Sequence, residues 1–184
     1  MLRIAIQGIE GSYSAAAART MFDCALVECP TFSAAIDSIR TFEADFAVLP
    51  FRNTICGLIV PVSELLAACD LEIAGEIEIR IDHVLVAKQS VTFDLLAAVL
   101  SHPAALEQCS KFLQKHSLRA IAASDTATAV KYVMENPDKQ IAAIASWDAA
   151  AIYEASILAE NIADAADNRT LFYAVSRKNA PRQR

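Results

Sequence analysis

The sequence predicts an α/β protein of two lobes, each carrying a mostly parallel sheet. Three observations predict it. Short apolar, strand-like runs alternate with alanine-rich helical runs over residues 2–49, the pattern of a parallel sheet with helices on its faces. The same alternation begins again at Ala98 and continues to about residue 151. Between them, residues 72–81 alternate charged and apolar side chains, the period-2 mark of a strand with one wet face. That ribbon reads as the crossing from one lobe to the other.

In order, residues 2–6 form a buried strand and Gly8-Ile9-Glu10-Gly11 the turn after it. Ser12-Tyr13-Ser14 opens an alanine-rich helix to about Phe22, and residues 25–29 are a second strand. Thr31 then caps a helix with Ala34, Ala35, Ile36 and Ile39 on one side. Residues 46–49 make a third strand, stopped by Pro50, and a loop leads to a helix over 62–69. Residues 82–87 continue the crossing ribbon. The second lobe has strands at 98–100, 120–122 and 141–144, with helices opened by Ser101-His102-Pro103, by Ser124-Asp125-Thr126 and by Ser146, and with Trp147 in its core. Residues 161–168 lead back to a return strand at Thr170, and from Ser176 the tail is basic and frayed. The expected division is residues 1–75 plus 169–184 for the first, discontinuous lobe and 76–168 for the second, with the active-site cleft between them.

Composition narrows the function classes. With 184 residues, 55% of them hydrophobic and 21% charged, the chain builds a sizeable core and is not disordered. A formal charge of −6 argues against nucleic acid as a partner. The five cysteines are odd in number and contain no Cys-x-x-Cys pair, which suits unpaired thiols in a reducing compartment. The N-terminus reads as a strand instead of a signal peptide, and no apolar run reaches membrane length. A cytoplasmic protein with no membrane partner is expected.

Several strand-to-helix loops carry polar donors: Ser12 and Ser14, Asn53 and Thr54, Ser101, and Asp125-Thr126. A helix N-terminus holds a carboxylate without a cation, because its first N–H groups point outward. Such ends on both walls of a cleft suit a small dicarboxylate, although simple capping accounts for any one of them. His83, His102 and His116 lack metal-ligand spacing. Cys56 and Cys109 have no basic neighbour in sequence and read as packing residues. Glu76 reads as structural.

Taken together, the loops fall into a family order. Gly8-Ile9-Glu10-Gly11-Ser12-Tyr13-Ser14 resembles the prephenate dehydratase opening Gly-Pro-x-Gly-Thr/Ser-aromatic-Ser, with Ile9 in place of the Pro. The stretch from Val48 through Pro50, Arg52, Asn53 and Thr54 to Gly57 resembles Val-Pro-Ile-Glu-Asn-Ser-x-x-Gly, with Arg52 in place of the Glu. Ser101-His102-Pro103-Ala104-Ala105-Leu106-Glu107-Gln108-Cys109 is similar to Ser-His-Pro-Gln-Ala-Leu-x-Gln-Cys, and Asp125-Thr126-Ala127 to a Thr-Ala helix start. Asn168-Arg169-Thr170-Leu171-Phe172 resembles Asn-x-Thr-Arg-Phe, with Leu171 in place of the Arg.

The resemblance implies a fold like that of type II periplasmic binding proteins and a lyase acting on prephenate. Thr170 would be the catalytic acid that protonates the ring hydroxyl as CO2 leaves, giving phenylpyruvate for phenylalanine biosynthesis. It implies Arg52, Asn53, Thr54, Gly57, Ser12, Ser101, Thr126 and Phe172 as substrate-binding residues, no metal or organic cofactor, and a homodimer. The family's regulatory ACT domain is expected to be absent. The departures at positions 171 and 52 leave three readings: Arg52 supplies the lost carboxylate contact, the chemistry shifts to a non-aromatising decarboxylation of prephenate, or a catalytically inactive small-carboxylate binder remains.

Overall fold

The computed structural model describes residues 1–178. In chain order its elements are β1 (Leu2–Gln7), α1 (Tyr13–Met21), β2 (Cys24–Cys29), α2 (Phe32–Arg40), β3 (Phe46–Asn53), β4 (Gly57–Leu58), α3 (Val60–Ala68) and β5 (Leu71–Arg80). There follow β6 (Val84–Ala87), β7 (Ala98–Ser101), α4 (Pro103–Gln108), α5 (Ser110–Lys115), β8 (Arg119–Ala122), α6 (Thr126–Glu135), β9 (Ile141–Ala145), α7 (Trp147–Ile152), β10 (Ser156–Ala159) and β11 (Arg169–Arg177). Two compact units result. The first holds Met1–Ile9, Tyr13–Arg80 and the described residues from Asn168 to Lys178; the second holds Glu10–Ser12 and Ile81–Asp167.

Each unit has its own sheet, in the order β2-β1-β3-β11-β5 with β4 hydrogen-bonded to β3 in the first, and β10-β6-β9-β7-β8 in the second. Both sheets are mixed, where mostly parallel ones were expected. The βα-connected strands pair in parallel, β1 with β2 and β3, and β7 with β8 and β9. The strands bordering the crossings, β5 and β11 in one unit and β6 and β10 in the other, pair antiparallel. Helices α3 and α7 carry the chain from β3 to β5 and from β9 to β10 in the same sense, while β11 and β6, which follow no helix, are inserted antiparallel between the members of each pair.

Burial follows the pleat. In the first unit Ile4, Ile6, Val48, Phe172 and Ala174 pack under α1 on one sheet face. Ala5, Ala47, Leu49 and Val175 pack under α2 and α3 on the other. In the second unit Leu85, Val99, Ala142 and Ile144 form the core with Leu106, Cys109 and Leu113.

Four sequence expectations shift. β3 does not stop at Pro50 but runs to Asn53. Its pairing with β1 ends at Val48, and on the β11 side the register slips between Leu171 and Phe172, opposite Pro50. A proline beside a bulge, on a side that has lost its partner, withdraws no ladder bond. The crossing comes after Arg80 rather than at residue 75, because β5 is paired with β11 from Leu71 to Arg80. The ribbon then breaks at residues 81–83, and β6 belongs to the second sheet. Gly75 is no boundary. A Cβ there would lie 3.1 Å from Met21 Cε, and the β5–β11 register slips beside it.

At the C-terminus β11 extends to Arg177, whose guanidinium donates to the Ile39 carbonyl oxygen and lies 4.1 Å over the Phe42 ring. Lys178 pairs with Asp70. Ser176 to Lys178 are thus held in place, and the remainder of the tail, residues 179–184, lies outside the described residues. Trp147 opens α7 and is 46% exposed, so it is not a core residue. Among the described residues no helix is long and apolar enough to cross a membrane.

Candidate active site

The centre of the first unit is the antiparallel pair β3–β11, whose ends bring Asn53 beside Thr170. Registered residues of paired strands point to one face. Asn53, Thr170 and, on β5, Ile79 therefore share a face, while Arg52, Leu171 and Glu78 share the opposite one. Asn53, Thr170 and Asn168 are buried.

The amide of Asn53 organises this corner. Its Oδ1 accepts from the Ile55 N–H at 2.9 Å and the Cys56 N–H at 3.0 Å, an Asx-type turn. Because backbone N–H groups only donate, these two bonds fix which end of the amide is oxygen. Nδ2 then faces Asn168 Oδ1 at 2.7 Å, Thr170 Oγ1 at 2.9 Å and the Arg169 carbonyl at 3.0 Å. Gly57 returns the chain to pair with Asn53 at φ +78°, a left-handed conformation that glycine adopts without strain. Thr54 clamps Arg169 twice, its N–H donating to the Arg169 carbonyl at 2.9 Å and its Oγ1 accepting from the Arg169 N–H at 2.9 Å.

Thr170 is the residue this scaffold presents. Its oxygen accepts from Asn53, and among the described residues its hydroxyl proton has no acceptor. A hydroxyl carries one donor and two acceptor sites, so a buried proton remains to be given to a ligand. No titration shift is needed for this role.

The two departures from the family pattern turn out to be neighbours. Arg52 and Leu171 are cross-strand partners, and Glu78 lies on Leu171's other side. Positions 171 and 52, where the resemblance implies an exchange of charge, thus lie on one sheet face, the face away from Asn53 and Thr170. Arg52 is exposed and makes no ion pair among the described residues, whereas Arg169 bonds Glu78 at 3.1 Å.

Other predicted contacts are spent elsewhere. Phe172 is 2% exposed, packed under α1 with Ile4 and Ile6, and is a core residue rather than a substrate contact. Ser101 is 0% exposed and its Oγ donates to the Ile144 carbonyl at 2.6 Å, tying β7 to β9, so it is not presented to a ligand either. Asn53 has both ends of its amide engaged inside the unit, which makes it a support for Thr170.

In the second unit, Thr126 is the first residue of α6, capped by Asp125, whose carboxylate accepts from the Thr128 N–H at 2.8 Å and the Thr128 hydroxyl at 2.6 Å. Ser12 is buried beside Gly11. Gly11 has φ +89°, and a Cβ there would meet Ala149 Cα at 3.0 Å; Ser146 Oγ donates to its carbonyl at 2.9 Å. The glycine is required by close approach, a signal the Gly8-x-x-Gly11 spacing does not carry alone. His83 Nε2 meets Gln108 Oε1 at 2.9 Å in the core, and burial holds its pKa below the usual histidine value against the opposing pull of that bond. Burial, with Asp164 nearby, pushes the Cys109 thiol up to about 12, which removes it as a nucleophile. His83 and Gln108 were not foreseen as a pair, since 25 residues separate them.

Two α/β units on mixed sheets, with a buried threonine hydroxyl held by an asparagine, are the features of a domain that handles small molecules. The prephenate dehydratase sequence profile matches residues 4–180, and the chain belongs to that family. It is similar to "Arogenate dehydratase 2" of Petunia hybrida, 40% identical over 178 residues, spanning 96% of this chain and 45% of that protein. Among solved structures, prephenate dehydratase of Arthrobacter aurescens with L-Phe matches with a TM-score of 0.89 at 27% identity, covering 100% of this chain and 63% of that one. A structure described as GqqA, a quorum quenching acylase, matches with a TM-score of 0.85 at 32% identity, covering 97% and 65%. A Coxiella burnetii periplasmic substrate-binding protein shares the fold alone, at 11% identity and a TM-score of 0.52. The chain spans about half the length of the curated relatives it matches.

Proposed function

We propose that this chain catalyses the decarboxylating dehydration of prephenate to phenylpyruvate, the aromatising step toward phenylalanine. The observation that carries the reading is the buried Thr170 hydroxyl, its oxygen bound by Asn53 and its proton without an acceptor among the described residues. That proton goes to the ring hydroxyl oxygen. The C–O bond breaks to release water, the ring carboxylate leaves as CO2, and the electrons of the broken C–C bond enter the ring. One proton is consumed, and the threonine recovers it from water. Positioning and a preorganised donor supply the rate, with aromaticity as the driving force.

Arg52, exposed and without an ion pair among the described residues, is proposed as a carboxylate contact standing in for the missing cation at position 171. Thr54 and Gly57 are proposed to shape that loop, and Ser12 and Thr126 to offer hydroxyls to a carboxylate. A cytoplasmic homodimer is proposed, the location supported by five free cysteines.

A second substrate is favoured by the naming of the 40%-identical relative: arogenate, in which the side-chain ketone of prephenate is replaced by an amine. Purified protein incubated separately with the two compounds, followed by absorbance and product mass, tests both. Phenylpyruvate from prephenate, or phenylalanine from arogenate, each formed about 10²- to 10³-fold more slowly by Thr170→Val, is the expected result. CO2 release with a hydroxyl-retaining product assigns the protein to non-aromatising decarboxylation. Binding without turnover assigns it to carboxylate capture and overturns the lyase reading.

A further inference from the structure

We propose that Asn53 is a positioning residue that sets the direction of the Thr170 proton; this rests on the dehydratase reading above. Threonine hydroxyls rotate, and a buried one turns its proton toward whatever acceptor its surroundings supply. Here three acceptors crowd the corner: Asn168 Oδ1, the Arg169 carbonyl and Asn53 Oδ1. Each is already turned to something else. Asn53 Nδ2 faces the first two, at 2.7 and 3.0 Å. Asn53 Oδ1 is occupied by the Ile55 and Cys56 N–H groups at 2.9 and 3.0 Å. What Asn53 turns toward Thr170 is an N–H, at 2.9 Å from Oγ1.

An N–H donor cannot accept, so the threonine proton cannot fall back on its neighbour. It is left pointing at a ligand. The same bond assists in the transition state. As the proton moves to the departing hydroxyl, charge develops on Oγ1, and a donor already in place stabilises it without reorganisation. The loop that fixes the amide's polarity is thus part of the acid's function. The motif Asn-x-x-x-Gly does two jobs with one side chain: its oxygen makes the turn and its nitrogen aims the acid.

Two variants separate aiming from turn-making. Asn53→Asp keeps an oxygen for the Ile55 and Cys56 N–H groups but replaces the donor by an acceptor, which captures the Thr170 proton. Asn53→Ala loses the turn contacts and leaves the hydroxyl unaimed. Aiming predicts that at pH 8 Asn53→Asp has the lower kcat of the two, down about 10²- to 10³-fold, the loss typical of one preorganised donor, with KM little changed. It also predicts partial recovery as pH falls and the new carboxyl regains a proton to donate. A turn-making role alone predicts the reverse order and no recovery on acidification, and that outcome overturns the proposal.

A readout independent of turnover is the Asn53 side-chain amide in 15N–1H NMR of the full chain. Both protons should be protected from exchange, with one shifting in Thr170→Val. If wild type turns over neither prephenate nor arogenate, the dehydratase reading fails by itself, and the NMR result still decides the bond. Freely exchanging amide protons, insensitive to Thr170→Val, overturn the proposal whatever the activity.

Discussion

The two units place hydroxyls and caps at the ends of their strands in different ways, and only one of those ways leaves chemistry available. In the second unit, the Ser101 proton goes to Ile144, Asp125 binds Thr128 at the start of α6, and Ser146 caps α7 while bonding Gly11. In the first, Thr170 sits on a strand in register with Asn53, with its oxygen bound and its proton unspent. A helix start satisfies its own orphan N–H groups with the nearest side-chain oxygen. A strand satisfies its backbone through the ladder and leaves its side chains to the neighbouring strand, which takes the Ser101 proton on β7 but turns an N–H toward Thr170 on β11. The polar loops look alike in sequence, yet the strand pair holds the candidate acid.

The comparison breaks most sharply at Thr170. Thr170→Val should lower kcat by about 10²- to 10³-fold with little loss of stability, read by steady-state kinetics beside thermal unfolding. In the second unit the largest effect should be structural. Gly11→Ala forces an alanine into φ +89° and against Ala149, at a cost of about 2–4 kcal/mol from backbone strain and overpacking together. Denaturant unfolding would measure it.

Ser101→Ala removes one buried bond and should cost about 1–2 kcal/mol, while kcat per folded molecule stays at the wild-type value. A large kcat loss there would return Ser101 to the site. His83 sharpens the contrast through pH. Its folded pKa is depressed by burial, so the unfolded chain binds the proton more readily. Stability should therefore fall as pH drops below the unfolded value of about 6.5, with a slope up to about 1.4 kcal/mol per pH unit. His83→Gln should flatten that dependence in unfolding curves taken at several pH values.

The smallest effect is expected at Leu171→Arg, which restores the family residue. There Glu78 attracts and Arg52 repels across adjacent strands, so the terms offset to within about 0.5 kcal/mol, and kcat should not change. A clear rise in kcat would show that Arg52 does not by itself stand in for a cation at position 171.

Sequence periodicity located most strands and helices, because apolar alternation is a local consequence of one buried face. Asn53, Gly57 and Thr170 were legible as a family order, and Thr31, Asp125 and Ser146 as helix starts, since capping involves residues only three apart. What the sequence misplaced has a common cause. Pro50 was read as a strand stop and Gly75 as a boundary, because their local preferences are strong; bulges against β11 accommodate both. Phe172 and Ser101 were read as substrate contacts because they lie in motifs, and burial removes them. Leu171 and Arg52 read as two unrelated losses until the β3–β11 register made them one cross-strand pair. By itself, then, the sequence determined the elements, the alternating α/β plan and the identity of the candidate acid. Only the tertiary structure decided which face each motif residue occupies and which hydroxyl keeps its proton, because the β3–β11 register joins residues more than a hundred positions apart and the acceptor that takes the Ser101 proton lies 43 residues on.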